Sequence, residues 1–224
     1  MTATSQTEDV RFRLDLTAGI TELTRVLVEC CEKVERERLA AVVLELGEGT
    51  PAWPGVADVH AVNKWERALR RFERLDAVTV VVAAGGVSGG PVLEVLLTAD
   101  VRIAVPGLRI ALPVATGGFW PGMVVHRLSN RIGSSRTRRL VLTRAGRGTL
   151  TATEAHDLGL IDDISDDVAA SIADVLAGRP SGTEPRLLRS LVLDAASTPF
   201  EEALGIHLAA CDRALRAATL TGTA

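Results

Sequence analysis

The sequence has few cysteines, and they are not arranged to form disulfide bridges or a metal site. There are three in 224 residues, and two of them, Cys30 and Cys31, are adjacent. A disulfide framework needs an even set at suitable spacings, and a zinc site needs paired ligands a few residues apart. We therefore predict a protein without disulfides or a bound metal, in which Cys30 and Cys31 pack inside a helix.

Long apolar runs are also missing. The first ten residues, MTATSQTEDV, contain neither a basic start nor an apolar stretch, so we expect no signal peptide. No apolar run approaches the roughly 20 residues that a membrane span requires. These absences predict a cytoplasmic protein that does not enter a membrane.

Positive charge is not in excess. The formal net charge is −3, and Lys33 and Lys64 are the only lysines, so the other basic residues are arginines. This balance gives no indication of nucleic-acid binding. With 47% hydrophobic and 24% charged residues, the composition is typical of a folded globular chain rather than a disordered one.

What the sequence does contain is an alternation of short apolar runs and longer amphipathic segments. Residues 40–46 form a candidate buried strand, and apolar residues in 20–34 recur every three or four positions, as in a helix. Strands alternating with helices predict an α/β core. The segment Gly178 to Pro185 is rich in Gly and Pro and predicts a linker. We therefore expect a core at 1–178 and a linker with two helices at 179–224.

The stretch TVVVAAGGVSGGPVLEVLLTADVRIA, from Thr79 to Ala104, is the strongest indication of a functional site. It predicts a buried strand, a glycine-rich loop, a short helix and a second strand. Glu94 is the only polar side chain of the helical part, VLEVLL, which is otherwise apolar and therefore buried. A lone buried carboxylate is rare, so Glu94 is a candidate catalytic residue. The alternative is a glutamate that accepts hydrogen bonds from loop amides and holds the glycine run in shape.

Four motifs, in this order, resemble those of the crotonase (enoyl-CoA hydratase/isomerase) superfamily. They are AWPGVADV, similar to the family's F-x-x-G-x-D loop, then AAGGVSGGPVLEVLLTADVRIA, the pair Pro121-Gly122, and LTRAGRGTLTATEAHDLGLIDDI. The resemblance covers Val10 to Ile164 and implies an α/β, crotonase-like spiral of ββα units with C-terminal α-helices. It also implies an acyl-CoA thioester ligand, with coenzyme A as part of the substrate and no separate cofactor. A homotrimer or hexamer is implied as well.

The same resemblance implies an oxyanion hole made of two backbone N–H groups. Fixed donors of this kind stabilise the charge that builds on a thioester oxygen during the reaction. Gly55 matches the position of one donor. The position of the other, three residues before Glu94, is occupied by Pro91, and proline has no N–H. Either Gly90 donates from a shifted loop, or the oxyanion hole has only one of its two backbone donors.

A second departure concerns the acid/base pair. The family's hydratases have two glutamates, and Glu94 matches the first of them. The second would fall in the segment Pro113-Val114, and a valine side chain cannot move a proton. Because addition of water to a double bond requires both removal and delivery of protons, a plain hydratase is not expected.

One subgroup of the family shares these features. The short chain, the segment RALRRFERL, the GGPVLEVLL helix and the FWPGM loop resemble the small auxiliary proteins of 3,5-dihydroxyphenylglycine biosynthesis in glycopeptide antibiotic pathways. Such proteins work beside a type III polyketide synthase that uses malonyl-CoA. The resemblance implies a lyase-type helper in dehydration and aromatisation to 3,5-dihydroxyphenylacetyl-CoA. A conventional hydratase or isomerase, and a catalytically silent partner of the synthase, are the alternatives.

Trp53 and Trp120 lie in the two loops that flank the predicted pocket. Each begins a Trp-Pro-Gly triplet, and a large aromatic ring in such a loop can form a pocket wall. Simple core packing is the alternative for both. His126, on the helix after the second triplet, could point into the pocket, but a lone histidine on a helix more often has a structural role.

Overall fold

The computed structural model describes residues 10–49, 53–83, 85–115, 118–144, 147–178 and 184–221. The chain divides into two compact units, Met1–Arg179 and Pro180–Ala224. This division lies one residue from the boundary predicted at 178/179. Most of the predicted linker falls outside the described residues.

Strands and helices alternate through the first unit, as the sequence predicts. In the described part of the chain the strands are β1 Val10–Leu14, β2 Ala41–Leu46, β3 Val78–Ala83, β4 Gly86–Ser88, β5 Val101–Ala104, β6 Leu108–Ala111, β7 Val114–Ala115, β8 Gly118–Phe119, β9 Thr149–Thr151 and β10 Asp163–Ile164. The helices there are α1 Ile20–Glu37, α2 Val59–Glu73, α3 Val92–Leu96, α4 Val124–Ile132, α5 Ser134–Thr143, α6 Ala152–Asp157, α7 Val168–Ala177, α8 Glu184–Ala195 and α9 Phe200–Thr221.

The largest sheet has five strands, all parallel, in the order β1-β2-β3-β5-β10. The central strand β3 consists mainly of β-branched residues and is buried along its whole length, as expected for a parallel sheet covered on both faces, and its neighbour β2 is buried except at Glu45. The register pairs Val43 with Val80 and Val80 with Val101. The predicted α/β architecture with a parallel sheet is confirmed.

Each face of this sheet is covered by helices. On one face α1 and α2 contribute their apolar sides, including Leu23, Leu27 and Leu69, to the main core. On the other face Ile172 of α7 packs with alternate strand residues such as Val80. Helix α7 was not predicted, although Val168, Val175 and Leu176 accompany Ile172 at helical spacing and pack against the same cluster.

The two smaller sheets build the surroundings of the glycine-rich segments. Strands β4, β6 and β9 form one sheet, and β7 pairs with β8 in an antiparallel ladder. Gly118 and Phe119, which directly precede the second Trp-Pro-Gly triplet, belong to β8. Thr116 and Gly117 lie outside the described residues.

Two local features of the first unit concern a helix cap and a pair of cysteines. Thr151 and Glu154 form a reciprocal capping box at the start of α6, with hydrogen bonds of 3.1 and 2.9 Å. Cys30 and Cys31 are free and buried in α1, and burial raises the pKa of each thiol to about 12. They are packing residues, as expected.

The second unit contains α8 and α9. Helix α9 carries large apolar side chains that are exposed to solvent; they are Phe200, Leu204, Leu208 and Leu215. Among the described residues, no helix combines the length and the apolar character that crossing a bilayer requires. The same residues contain no group of three or more His, Cys, Asp or Glu side chains placed to hold a metal ion.

Candidate active site around Glu94

The glycine turn before α3 places Glu94 in the protein interior. Gly90 has a φ of +57°, a left-handed conformation that glycine adopts without steric cost. The chain can therefore turn directly from β4 into α3. All five residues of α3 are buried, and Glu94 itself has 0% of its surface exposed.

Two tryptophans hold the buried carboxylate through one of its oxygens. The indole Nε1–H of Trp65 donates to Oε2 of Glu94 at 2.6 Å, and that of Trp53 donates to the same oxygen at 3.2 Å. The two rings pack edge to face, with centroids 5.7 Å apart and an angle of 69° between their planes. Within the described part of the chain, the donors to Glu94 are indoles and not loop amides, which differs from the alternative interpretation of this residue.

The other oxygen of Glu94 lies under the second Trp-Pro-Gly triplet. Oε1 is buried and has no hydrogen-bond partner among the described residues. A Cβ added to Gly122 would lie 2.7 Å from this oxygen and 2.9 Å from Nε1 of Trp120. Trp120 is half-buried. The three tryptophans of the chain are therefore gathered around a single carboxyl group.

Burial controls the ionisation of Glu94. Loss of hydration raises the pKa of its carboxyl group from 4.5 to about 7, because the charged form is the one that water stabilises most. The hydrogen bonds from Trp65 and Trp53 act in the opposite direction, as does the positive charge of Arg127, while the negative charge of Glu66 raises the pKa further. A carboxyl group with a pKa near neutrality can both take up and release a proton.

A second carboxylate fixes the segment that covers Oε1. Glu66, the neighbour of Trp65 on α2, accepts a hydrogen bond from the backbone N–H of Met123 at 2.9 Å. It also accepts one from Nη1 of Arg127 at 2.8 Å. These contacts tie α2 to the first turn of α4, and so they set the position of Gly122 relative to Glu94.

The predicted oxyanion donors lie in the two loops next to this site. Gly55, with a φ of +73°, is two residues from Trp53, and Gly90 immediately precedes Pro91. The loop after β2 contacts the glycine run, because the N–H of Gly49 donates to the carbonyl of Val87 at 3.4 Å. The backbone N–H of Val92 donates to the carbonyl of Gly89 at 3.2 Å, so this N–H is used in the turn itself. The donor roles of Gly55 and Gly90 stay predictions.

The position expected for a second catalytic glutamate also lies in the site. The backbone N–H of Trp53 donates to the carbonyl of Val114 at 3.4 Å, so Val114 neighbours the residue that binds Glu94. Its side chain carries no proton donor or acceptor. That Val114 stands where hydratases of the resembled family have a carboxylate stays a prediction.

Sequence reasoning found only part of this arrangement. The structure brings Glu94, Trp53 and Trp120 together, whereas His126 is exposed and contacts Asn130 at 3.2 Å. Trp65 was not predicted as a site residue. It lies on the apolar side of an amphipathic helix and therefore has the pattern of an ordinary core residue. The one available signal was its indole N–H, since a buried tryptophan needs a hydrogen-bond acceptor.

Comparison with known proteins identifies the family and the fold. The family model for enoyl-CoA hydratase/isomerase matches residues 56–177. An enoyl-CoA-hydratase of Amycolatopsis orientalis is 41% identical over 204 residues, which make up 89% of this chain and 90% of the relative. A relative that similar over nearly its whole length shares both the fold and the family.

Solved structures have the same fold at much lower identity. An enoyl-CoA hydratase of Shewanella pealeana gives a TM-score of 0.73 at 17% identity, covering 94% of this chain and 84% of that one. A Thermobifida fusca protein in complex with acetoacetyl-CoA gives a TM-score of 0.72 at 18% identity, with 95% and 93% covered. The predicted crotonase-like fold is thus confirmed, and the chain belongs to the enoyl-CoA hydratase/isomerase family.

Proposed function

We propose that this protein acts on an aromatic or polyketide-derived acyl-CoA and promotes its dehydration and aromatisation beside a type III polyketide synthase. The proposed product is 3,5-dihydroxyphenylacetyl-CoA. Coenzyme A enters only as part of the substrate, so the proposal includes no separate cofactor. We propose a cytoplasmic reaction and a homotrimeric or hexameric assembly.

The observation that carries the proposal is that Glu94 is the one carboxyl group that indoles enclose among the residues the structure describes. Glu94 is buried among indoles, Val114 takes the place of a second carboxylate, and Pro91 lacks the N–H of one oxyanion donor. Loss of one such donor typically costs about 100- to 1,000-fold in rate. A substrate that enolises readily tolerates these losses better than a simple enoyl-CoA does.

One carboxyl group can complete the proposed dehydration by shuttling a proton. The Glu94 carboxylate takes the proton from the carbon next to the thioester carbonyl, and the electrons of that C–H bond form an enolate. Gly55 and Gly90 are the proposed donors to its oxygen. The enolate then forms the carbon–carbon double bond and expels the β-hydroxyl, which takes the proton from Glu94 and leaves as water.

The test combines the protein, a type III polyketide synthase and malonyl-CoA, with aromatic acyl-CoA measured as product. Glu94→Gln keeps the size of the side chain but cannot exchange a proton, so we expect the protein-dependent product to fall about 100- to 10,000-fold. Circular dichroism of both proteins checks that the fold is retained. Full stimulation by Glu94→Gln would instead identify a silent partner protein that acts by contact with the synthase.

The single carboxyl group also supports a second candidate, an enoyl-CoA isomerase. Moving a double bond requires removal of one proton and its return at another carbon, which one carboxylate can do. Conversion of a 3-enoyl-CoA to its 2-enoyl isomer would favour this function. Hydration of crotonyl-CoA at an ordinary rate would overturn both single-carrier proposals in favour of a conventional hydratase.

A further inference from the structure

The two oxygens of Glu94 have different surroundings. Oε2 accepts both indole N–H groups, from Trp65 at 2.6 Å and from Trp53 at 3.2 Å. Oε1 is equally buried but has no partner among the described residues. An unpartnered polar atom in the interior costs free energy unless something else satisfies it. The difference between the two oxygens therefore requires a functional explanation.

Both indoles are held rigidly enough to keep this difference. Trp65 and Trp53 are 1% and 4% exposed, and their rings pack against each other edge to face. Trp65 belongs to α2, which Asp58 caps by accepting the N–H of Ala61 at 2.7 Å. Glu66, on the same turn of α2, is bonded to Met123 at the start of α4.

Indole chemistry then decides where the proton of the neutral acid resides. An indole N–H donates a hydrogen bond and cannot accept one. An oxygen that receives two such donors acts as an acceptor in both ionisation states of the carboxyl group. When Glu94 is protonated, its hydrogen must therefore be on Oε1, the oxygen that faces Gly122 and Trp120.

We propose that Trp65, together with Trp53, is a positioning residue that fixes Oε2 as a permanent acceptor, so that Glu94 takes up and returns its proton at Oε1 alone. The partner of Oε1 is then supplied by the substrate, through the C–H that loses a proton or the hydroxyl that receives it. The reaction in this statement rests on the proposed function, whereas the assignment of the two oxygens does not.

The charged groups around the site allow a quantitative test. Glu66 of α2 and Arg127 of α4 are the charged groups that act on Glu94, and neither is altered by changes at Trp65 or Trp53. Both indole hydrogen bonds favour the carboxylate, so Trp65→Phe is expected to raise the pKa of Glu94 by about one unit. Trp53→Phe, which removes the longer bond, is expected to raise the pKa less.

Two measurements on the full-length protein report this change. Infrared difference spectra follow the protonated carboxyl band of Glu94, identified by its absence in Glu94→Gln. The pH dependence of deuterium exchange into phenylacetyl-CoA follows proton removal by the carboxylate, and its midpoint is expected to move upward with the infrared titration. Phe72→Leu, a buried apolar change on the same helix, is the control that leaves both midpoints unchanged.

The wild-type protein provides a test that needs no core substitution. The chain has three tryptophans and therefore three indole N–H resonances. We expect the signals of Trp65 and Trp53 to shift together with the titration of Glu94, and to stay constant in Glu94→Gln. Indole signals that ignore this titration, or an unmoved midpoint in folded Trp65→Phe, would overturn the positioning role. If the indole signals follow the titration of Glu94 but the protein turns over no acyl-CoA, the proposed function is contradicted and the assignment of the two oxygens is supported.

Discussion

At the scale of single residues, Glu94 makes the stability of the fold depend on pH. Its carboxyl group has a pKa of about 7 in the folded protein, against 4.5 when hydrated, because burial disfavours the charge. The folded state therefore binds more protons than the unfolded state between these two values. By linkage, the stability that Glu94 contributes is fully present below pH 4.5 and is lost as the pH rises through about 7.

We predict that Glu94→Gln removes this pH dependence. A difference of this size between the two pKa values corresponds to about 3 kcal/mol of unfolding free energy. Relative to the wild type, the variant should therefore become more stable by this amount between pH 4.5 and 8. Urea unfolding at several pH values measures the difference directly. A constant difference between the two proteins over this range would contradict the raised pKa.

At the scale of elements, the site depends on how closely the segment before α4 approaches α3. Gly122 has a φ of +35°, and a Cβ added there would lie 2.7 Å from Oε1 of Glu94 and 2.9 Å from Nε1 of Trp120. The indoles of Trp65 and Trp53 hold the carboxyl group of Glu94 in place. The absence of a side chain at residue 122 is thus a requirement of the packing between the two helices.

We predict that Gly122→Ala destabilises the protein by about 1–3 kcal/mol, since overfilling a packed interior forces neighbouring atoms to move. The activity of Glu94 should fall as well, because the added methyl group meets the oxygen proposed to carry the proton. Gly159→Ala is the matched control, with a φ of +78° and no atom within 4 Å of an added Cβ. It shares the backbone strain but not the contact, so its loss of stability should be smaller and its activity normal. Equal effects of the two substitutions would refute a role for the contact.

The sequence predicts elements better than it predicts the contacts between them. Apolar periodicity suffices for α1 and the buried strands, because each signal lies within one segment. The contact of Trp65 with Glu94 joins residues 29 positions apart in the chain and leaves no local pattern. The same holds for Gly122, whose neighbours follow from the packing of α3 against α4. Glu94 was predictable only because a charge inside an apolar helix is unusual in itself.

At the scale of the whole molecule, α9 presents an apolar surface that its own unit does not cover. Phe200, Leu208 and Leu215 are 74%, 58% and 69% exposed, and with Leu204 they lie along one side of the helix. Contiguous apolar surface of this kind indicates an interaction site. The proposed homotrimer or hexamer provides an occupant for it, namely a second copy of the same chain.

We predict that Leu208→Glu lowers the oligomeric state, because a charge in the middle of the apolar stripe would have to lose its hydration on association. Sedimentation velocity of the full-length protein at several concentrations measures the change in mass. Ala209→Glu adds the same charge about 100° further around α9, outside the apolar stripe, and should leave the assembly intact. If both variants keep the wild-type mass, the stripe is not the self-association surface.

Because all three tryptophans and Glu94 belong to the first unit, the titration of Glu94 should be the same in the dissociated Leu208→Glu protein. That result would separate assembly, which is a property of α9, from proton transfer, which is a property of the core.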